Sequence, residues 1–136
     1  SRGLGDVYKR QVLMPAMVHE RFTLHVPLMS KARPRAFSGQ KTPYMPQAYK
    51  KWKKLARAQL AEHWTDPPLK KIEVVAFKFF GPARGDLDNL IGAVLDAGNQ
   101  LVWEDDRVSI ISKLQGEHEK AKTNEQKIEV RLWYLP

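Results

Sequence analysis

Two acidic stretches carry the side chains best suited to chemistry. Asp86 and Asp88 stand two residues apart in Gly85-Asp86-Leu87-Asp88-Asn89-Leu90, and Glu104-Asp105-Asp106 follows Leu101-Val102-Trp103. Oxygen donors alone suit a hard divalent cation, Mg²⁺ or Mn²⁺, far better than zinc or copper. Magnesium usually keeps several waters and takes one or two carboxylates together with substrate phosphate. An all-carboxylate set in a basic chain therefore points to phosphodiester hydrolysis. The cation would polarise the phosphoryl oxygen, lower the pKa of an attacking water and stabilise the leaving 3′ oxygen. The expected ligands are Asp86, Asp88 and Asp106, with Asp105 as a substitute for the last. An Asp-x-Asp pair alone recurs by chance in surface turns; the second Asp pair and the basic surroundings give it weight. Asp88 also suits the N-cap of a helix, a purely structural role. Asp86 has no such ready explanation.

The flanking sequence predicts what positions these groups. Ile72 to Phe80 is an apolar, β-branched run that reads as a strand and stops at Gly81-Pro82. Leu87, Leu90, Ile91, Val94 and Leu95 fall at helical spacing, so a helix capped by Asp88 should follow and end near Gly98. The two acidic groups are then expected to converge from a helix start and from the start of a strand over 108–114. Upstream, Phe22 to Val26 alternates and is stopped by Pro27. His25 in that strand is alone, and a lone histidine is more often a surface residue than a ligand. Gln47 to Trp64 is the clearest helix, with Tyr49, Trp52, Leu55, Ala56, Leu60 and Trp64 as its apolar stripe. Lys50, Lys51, Lys53, Lys54 and Arg57 are expected on its solvent face. Gly116 to Lys127 is polar and reads as a strand-free connection, and Ile128 to Tyr134 as a last strand paired with 108–114. The order implies a small α+β domain with a mixed or antiparallel sheet and two main helices.

The chain has 136 residues, enough for one domain with a modest core, and its 43% hydrophobic content argues for a folded one. Cysteine is absent, which excludes disulfides, thiolate zinc sites and cysteine nucleophiles and fits a cytoplasmic setting. The net charge is +8, a balance that favours a polyphosphate partner over a membrane surface. Residues 1–11 read as an in-frame translation of a transposase adapter used to prepare sequencing libraries, so they are not expected to belong to the native fold. That reading implies environmental DNA and a native start at Met14, Met17 or a lost upstream codon. Without Arg2, Lys9, Arg10 and Asp6 the remainder still carries +6. Lys31, Arg33, Arg35 and Lys41 concentrate in a Pro- and Gly-containing loop, where Phe37 and Tyr44 offer faces for base stacking. With Arg84 they are the expected phosphate contacts, because an acidic centre approaches DNA only if neighbouring cations offset the repulsion.

The GDLDNL element, the downstream Ala93-Val94-Leu95-Asp96-Ala97 and Trp103-Glu104-Asp105-Asp106-Arg107-Val108 resemble the RusA-type Holliday-junction resolvases. So does Lys31-Ala32-Arg33-Pro34-Arg35 followed by Tyr44 and Pro46; the likeness runs from about Phe22 to the end of the chain. The resemblance implies a homodimeric, Mg²⁺-dependent endonuclease that makes paired nicks in four-way DNA junctions. Members are often encoded by phages. The family's essential acidic residues fall on Asp86, Asp88 and Asp106, with Asp105 beside the last as an assisting residue. A two-fold dimer suits a junction, because symmetric incisions need two sites related by one axis. One position departs: the family usually has a lysine four residues after the second motif aspartate, where this chain has Gly92. Glycine within a helix costs roughly 1 kcal/mol against alanine, so stability does not explain it. Close backbone approach, a lysine supplied from elsewhere (Lys31 or Lys113) and weakened catalysis are the alternatives, the last leaving a junction-binding protein without efficient cleavage.

Overall fold

The computed structural model describes residues 16–32, 45–83, 85–120 and 124–136, so residues 1–11 and the basic loop beyond Ala32 lie outside it. Its elements are β1 (Val18–Leu24), α1 (Gln47–His63), β2 (Val74–Phe80), α2 (Leu87–Gly98), β3 (Leu114–Glu119) and β4 (Lys127–Tyr134). The strands form one sheet in the order β1-β4-β2-β3. β4 is antiparallel to both β1 and β2, whereas β2 and β3 are parallel. The domain is thus α+β with a mixed sheet. No helix among the described residues is long and apolar enough to cross a membrane.

Strand alternation places the core. Phe22 and Leu24, Val75, Phe77 and Phe79, and Ile128, Val130 and Leu132 are buried together with Tyr49, Trp52, Ala56 and Leu60 of α1 and Leu90, Ala93 and Val94 of α2. The opposite sheet face carries charge, with the buried Glu129 accepting from Arg21 at 3.1 Å and from Arg131 at 3.0 Å. Leu55 departs from its expected place in the stripe: it is 48% exposed, on the flank of the buried line. Two cations expected in solvent instead join the helices. Arg57 donates to the carbonyls of Ala97 (3.0 Å) and Asn99 (2.8 Å) at the C-terminus of α2, where a cation complements the helix dipole. Lys53 pairs with Asp96 at 3.2 Å, and the same carboxylate accepts from the Tyr49 hydroxyl at 2.7 Å. Burial, then that hydrogen bond, pushes the Tyr49 hydroxyl well above the ordinary tyrosine range.

Two stretches of the C-terminal half differ from expectation. The apolar Val108-Ser109-Ile110-Ile111 is largely turn, anchored where the amides of Ile110 and Ile111 both donate to the Arg107 carbonyl (2.9 and 3.0 Å). The strand begins only at Leu114 and runs through Gly116 to Glu119, a segment whose polarity had marked it as a connection. β3 lies at the sheet edge, and its side chains are almost all exposed, so no apolar alternation advertises it. β4 accordingly pairs with β1 and β2 and not with 108–114.

Gly98 is the last residue of α2, with Asn99 in the cap position. The fully buried Trp103 ring lies against it: a Cβ there would sit 2.7 Å from Trp103 Cε2. The indole also donates to the Leu95 carbonyl at 2.9 Å. Gly98→Ala is therefore expected to destabilise the fold by about 2 kcal/mol, the scale of overpacking a filled core. An unchanged urea midpoint would show that the ring does not pack against this turn.

Candidate metal and phosphate site

Asp86 and Asp88 occupy the first turn of α2. Gly85, at φ +94°, turns the chain from the end of β2 into the helix. Asp86, and not Asp88 as expected, takes the N-cap position; its carbonyl accepts from Asn89 (3.1 Å) and Leu90 (3.3 Å), and its side chain makes no capping bond. Asp88 lies within the first turn and accepts from the Asn89 amide at 2.9 Å. Both residues are exposed. A helix N-terminus carries partial positive charge that stabilises neighbouring carboxylates and anions.

Residues 30 and 31 form a strap across this turn. The Lys31 amide donates to the Asn89 carbonyl at 2.9 Å. Ser30 Oγ lies 3.1 Å from where a Cβ would stand on Gly85, and Lys31 Cδ lies 3.1 Å from the equivalent point on Gly92. The two glycines flanking the acidic turn thus admit the strap on either side of it. Of the two lysines considered as substitutes, Lys31 is the one that meets Gly92. Arg33, Arg35, Lys41 and Arg84, with Phe37 and Tyr44, lie outside the described residues.

The second acidic group belongs to a loop that leaves and rejoins the run preceding β2. The Leu69 amide donates to Val102 (2.8 Å), that of Glu104 to Leu69 (2.9 Å), and that of Ile72 to Ile110 (2.7 Å). Asp105 holds the loop's conformation, a role its sequence did not signal beyond the cation two residues on. Its Oδ2 accepts from Arg107 Nη2 (2.7 Å) and Nε (3.0 Å), and its Oδ1 from the Asp106 amide (2.8 Å). The Arg107 guanidinium, followed by that amide, holds the Asp105 carboxyl below the usual carboxylate range. Asp106 is exposed, and Val108 at the crest of the loop is 87% exposed.

The two groups stand at opposite ends of α2. Leu87 and Ile91 at its start face Gly116, while Gly98 at its end touches Trp103, just before the acidic loop. Twelve helical residues separate the ends by about 18 Å. Among the described residues no three His, Asp or Glu side chains gather closely enough to hold a metal ion. The convergence expected of Asp86, Asp88 and Asp106 is therefore not made within one copy of the chain, because α2 spaces the motifs apart. What one copy does offer is the Asp86–Asp88 pair, two exposed carboxylates at a helix N-terminus. That donor set fits a magnesium ion whose remaining positions are water and phosphate.

A family model described as endodeoxyribonuclease RusA matches residues 25–132, spanning both acidic groups, every element from α1 to β3, and β4 as far as Leu132. Comparison with curated proteins gave no match.

Proposed function

The chain belongs to the RusA endodeoxyribonuclease family, and from that premise we propose that it resolves four-way DNA junctions by paired, symmetric, Mg²⁺-dependent nicks, with Mn²⁺ as an alternative cation. The observation that carries the reading is the family match over both acidic motifs, with Asp86 and Asp88 exposed on the first turn of α2.

The separation of the acidic groups supports a site shared between two copies. Asp86 and Asp88 of one copy would meet Asp106 of a second, and two-fold symmetry would then create two such sites for the two incisions. The exposed Val108 beside Asp106 supports the same arrangement, since an apolar side chain at a loop crest gains by burial against another surface. Asp86, Asp88 and Asp106 would hold the metal, and Asp105, engaged by Arg107, would keep the Asp106 loop in shape. When bound, the cation would supply Lewis-acid activation of the phosphate and of a water. The protein's own part is to orient the phosphate against the α2 N-terminus and to offset its charge. Lys31, Arg33, Arg35, Lys41 and Arg84 would supply the positive charge along the DNA backbone.

The wide spacing of the carboxylates and the glycine at position 92 favour one second reading, a junction-binding protein of the same family without efficient cleavage. A synthetic four-way junction incubated with the protein and Mg²⁺ separates the two. Paired nicks at symmetric positions, absent with EDTA, are expected; tight binding without product would replace the enzyme with the binder.

A further inference from the structure

We propose that Lys31 is a phosphate-contacting residue of the Asp86–Asp88 centre, delivered to it by the strap and admitted by Gly92. The inference rests on the nuclease reading and adds to it the cation that neutralises the reacting phosphate. In a helix, residues four apart share a face, so Gly92 lies one turn along α2 from Asp88. The stem of Lys31 occupies that place, with Cδ 3.1 Å and Cβ 3.5 Å from where a Gly92 side chain would begin. Any larger residue at 92 would contest that place.

The placement is fixed from the backbone outward. The Lys31 amide is bonded to Asn89, one residue after Asp88, so the ammonium does not depend on a long mobile tether. Lys31 is exposed and makes no ion pair with a described carboxylate, which leaves its charge for a ligand. Two carboxylates alone would repel a phosphate; an ammonium whose stem lies along the same helix face, one turn from Asp88, would offset that repulsion. Lysine suits this as a compact point charge on a flexible stem. The glycine at 92 thereby has a function without a side chain of its own: the cation of this helix face arrives from another segment of the chain.

A charge swap tests the assignment. Lys31→Met keeps an apolar stem over Gly92 and removes the ammonium. Single-turnover cleavage of a four-way junction is expected to fall about 100-fold, the scale of losing one preorganised charge stabiliser. Junction affinity should change by less than roughly threefold, because one phosphate contact among many is lost. Gly92→Lys combined with Lys31→Ala, which clears the stem from that place, should recover at least about tenfold of the rate lost with Lys31→Ala alone, whereas Gly92→Met in the same background should recover none. Lys31→Gln serves the same comparison should Lys31→Met fail to fold. Cleavage by Lys31→Met close to the native rate, or equal recovery with Gly92→Met, would overturn the assignment while leaving the nuclease reading intact. A native chain that binds junctions but never nicks them would instead overturn the nuclease reading, and this role with it.

Discussion

Asp88→Asn is expected to abolish nicking of a four-way junction while leaving the junction bound. Asparagine preserves the size of the side chain and one oxygen, so the first turn of α2 should persist; what disappears is a full negative charge facing the cation. Losing several kcal/mol of charge stabilisation corresponds to about three powers of ten in rate. Asp86→Asn should behave alike in cleavage and differ in a telling way in binding. With its side chain free of any capping bond, Asp86 contributes to the helix chiefly through its carbonyl, and its charge is available to repel phosphate. Measured without divalent metal at low salt, Asp86→Asn should bind a junction roughly two- to fivefold more tightly, the worth of deleting one repulsion near a solvated surface. Weaker binding by that variant would place Asp86 away from the DNA. Unchanged nicking by either variant would remove the pair from the reaction.

The order of elements was readable wherever one face of an element is buried. The stripe of α1 gave its span to within one residue, because Tyr49, Trp52, Ala56 and Leu60 all point into the core. β2 and β4 alternate against the same core and were equally plain. β3 was not legible, since a polar edge strand next to β2 is specified by backbone pairing and not by its own side chains. Ile110 and Ile111 misled for the converse reason: they are buried as anchors of a turn, and burial alone does not distinguish a turn from a strand.

The site was legible as a list of residues and not as a geometry. The carboxylates, the likeness to a family and the odd glycine at 92 all lie in the sequence. Their spacing along the chain says nothing of the helix that holds Asp86 and Asp106 apart, nor of the strap that lays Lys31 across Gly92. Lys53 and Arg57 were misplaced on a solvent face because a cation on a helix reads as solvated until its partner, here the end of α2, is known.

Mixing inactive copies is the most direct test of a site shared across a dimer. Asp88→Asn and Asp106→Asn proteins, each inactive alone, would be unfolded together, refolded and assayed on a junction with Mg²⁺. In a mixed dimer with shared sites, one site collects both substitutions and the other collects none. Random pairing should therefore restore roughly a quarter of the native nicking, as single rather than paired incisions. Mixed dimers that form but remain inactive would contradict the account, placing each complete site within one chain.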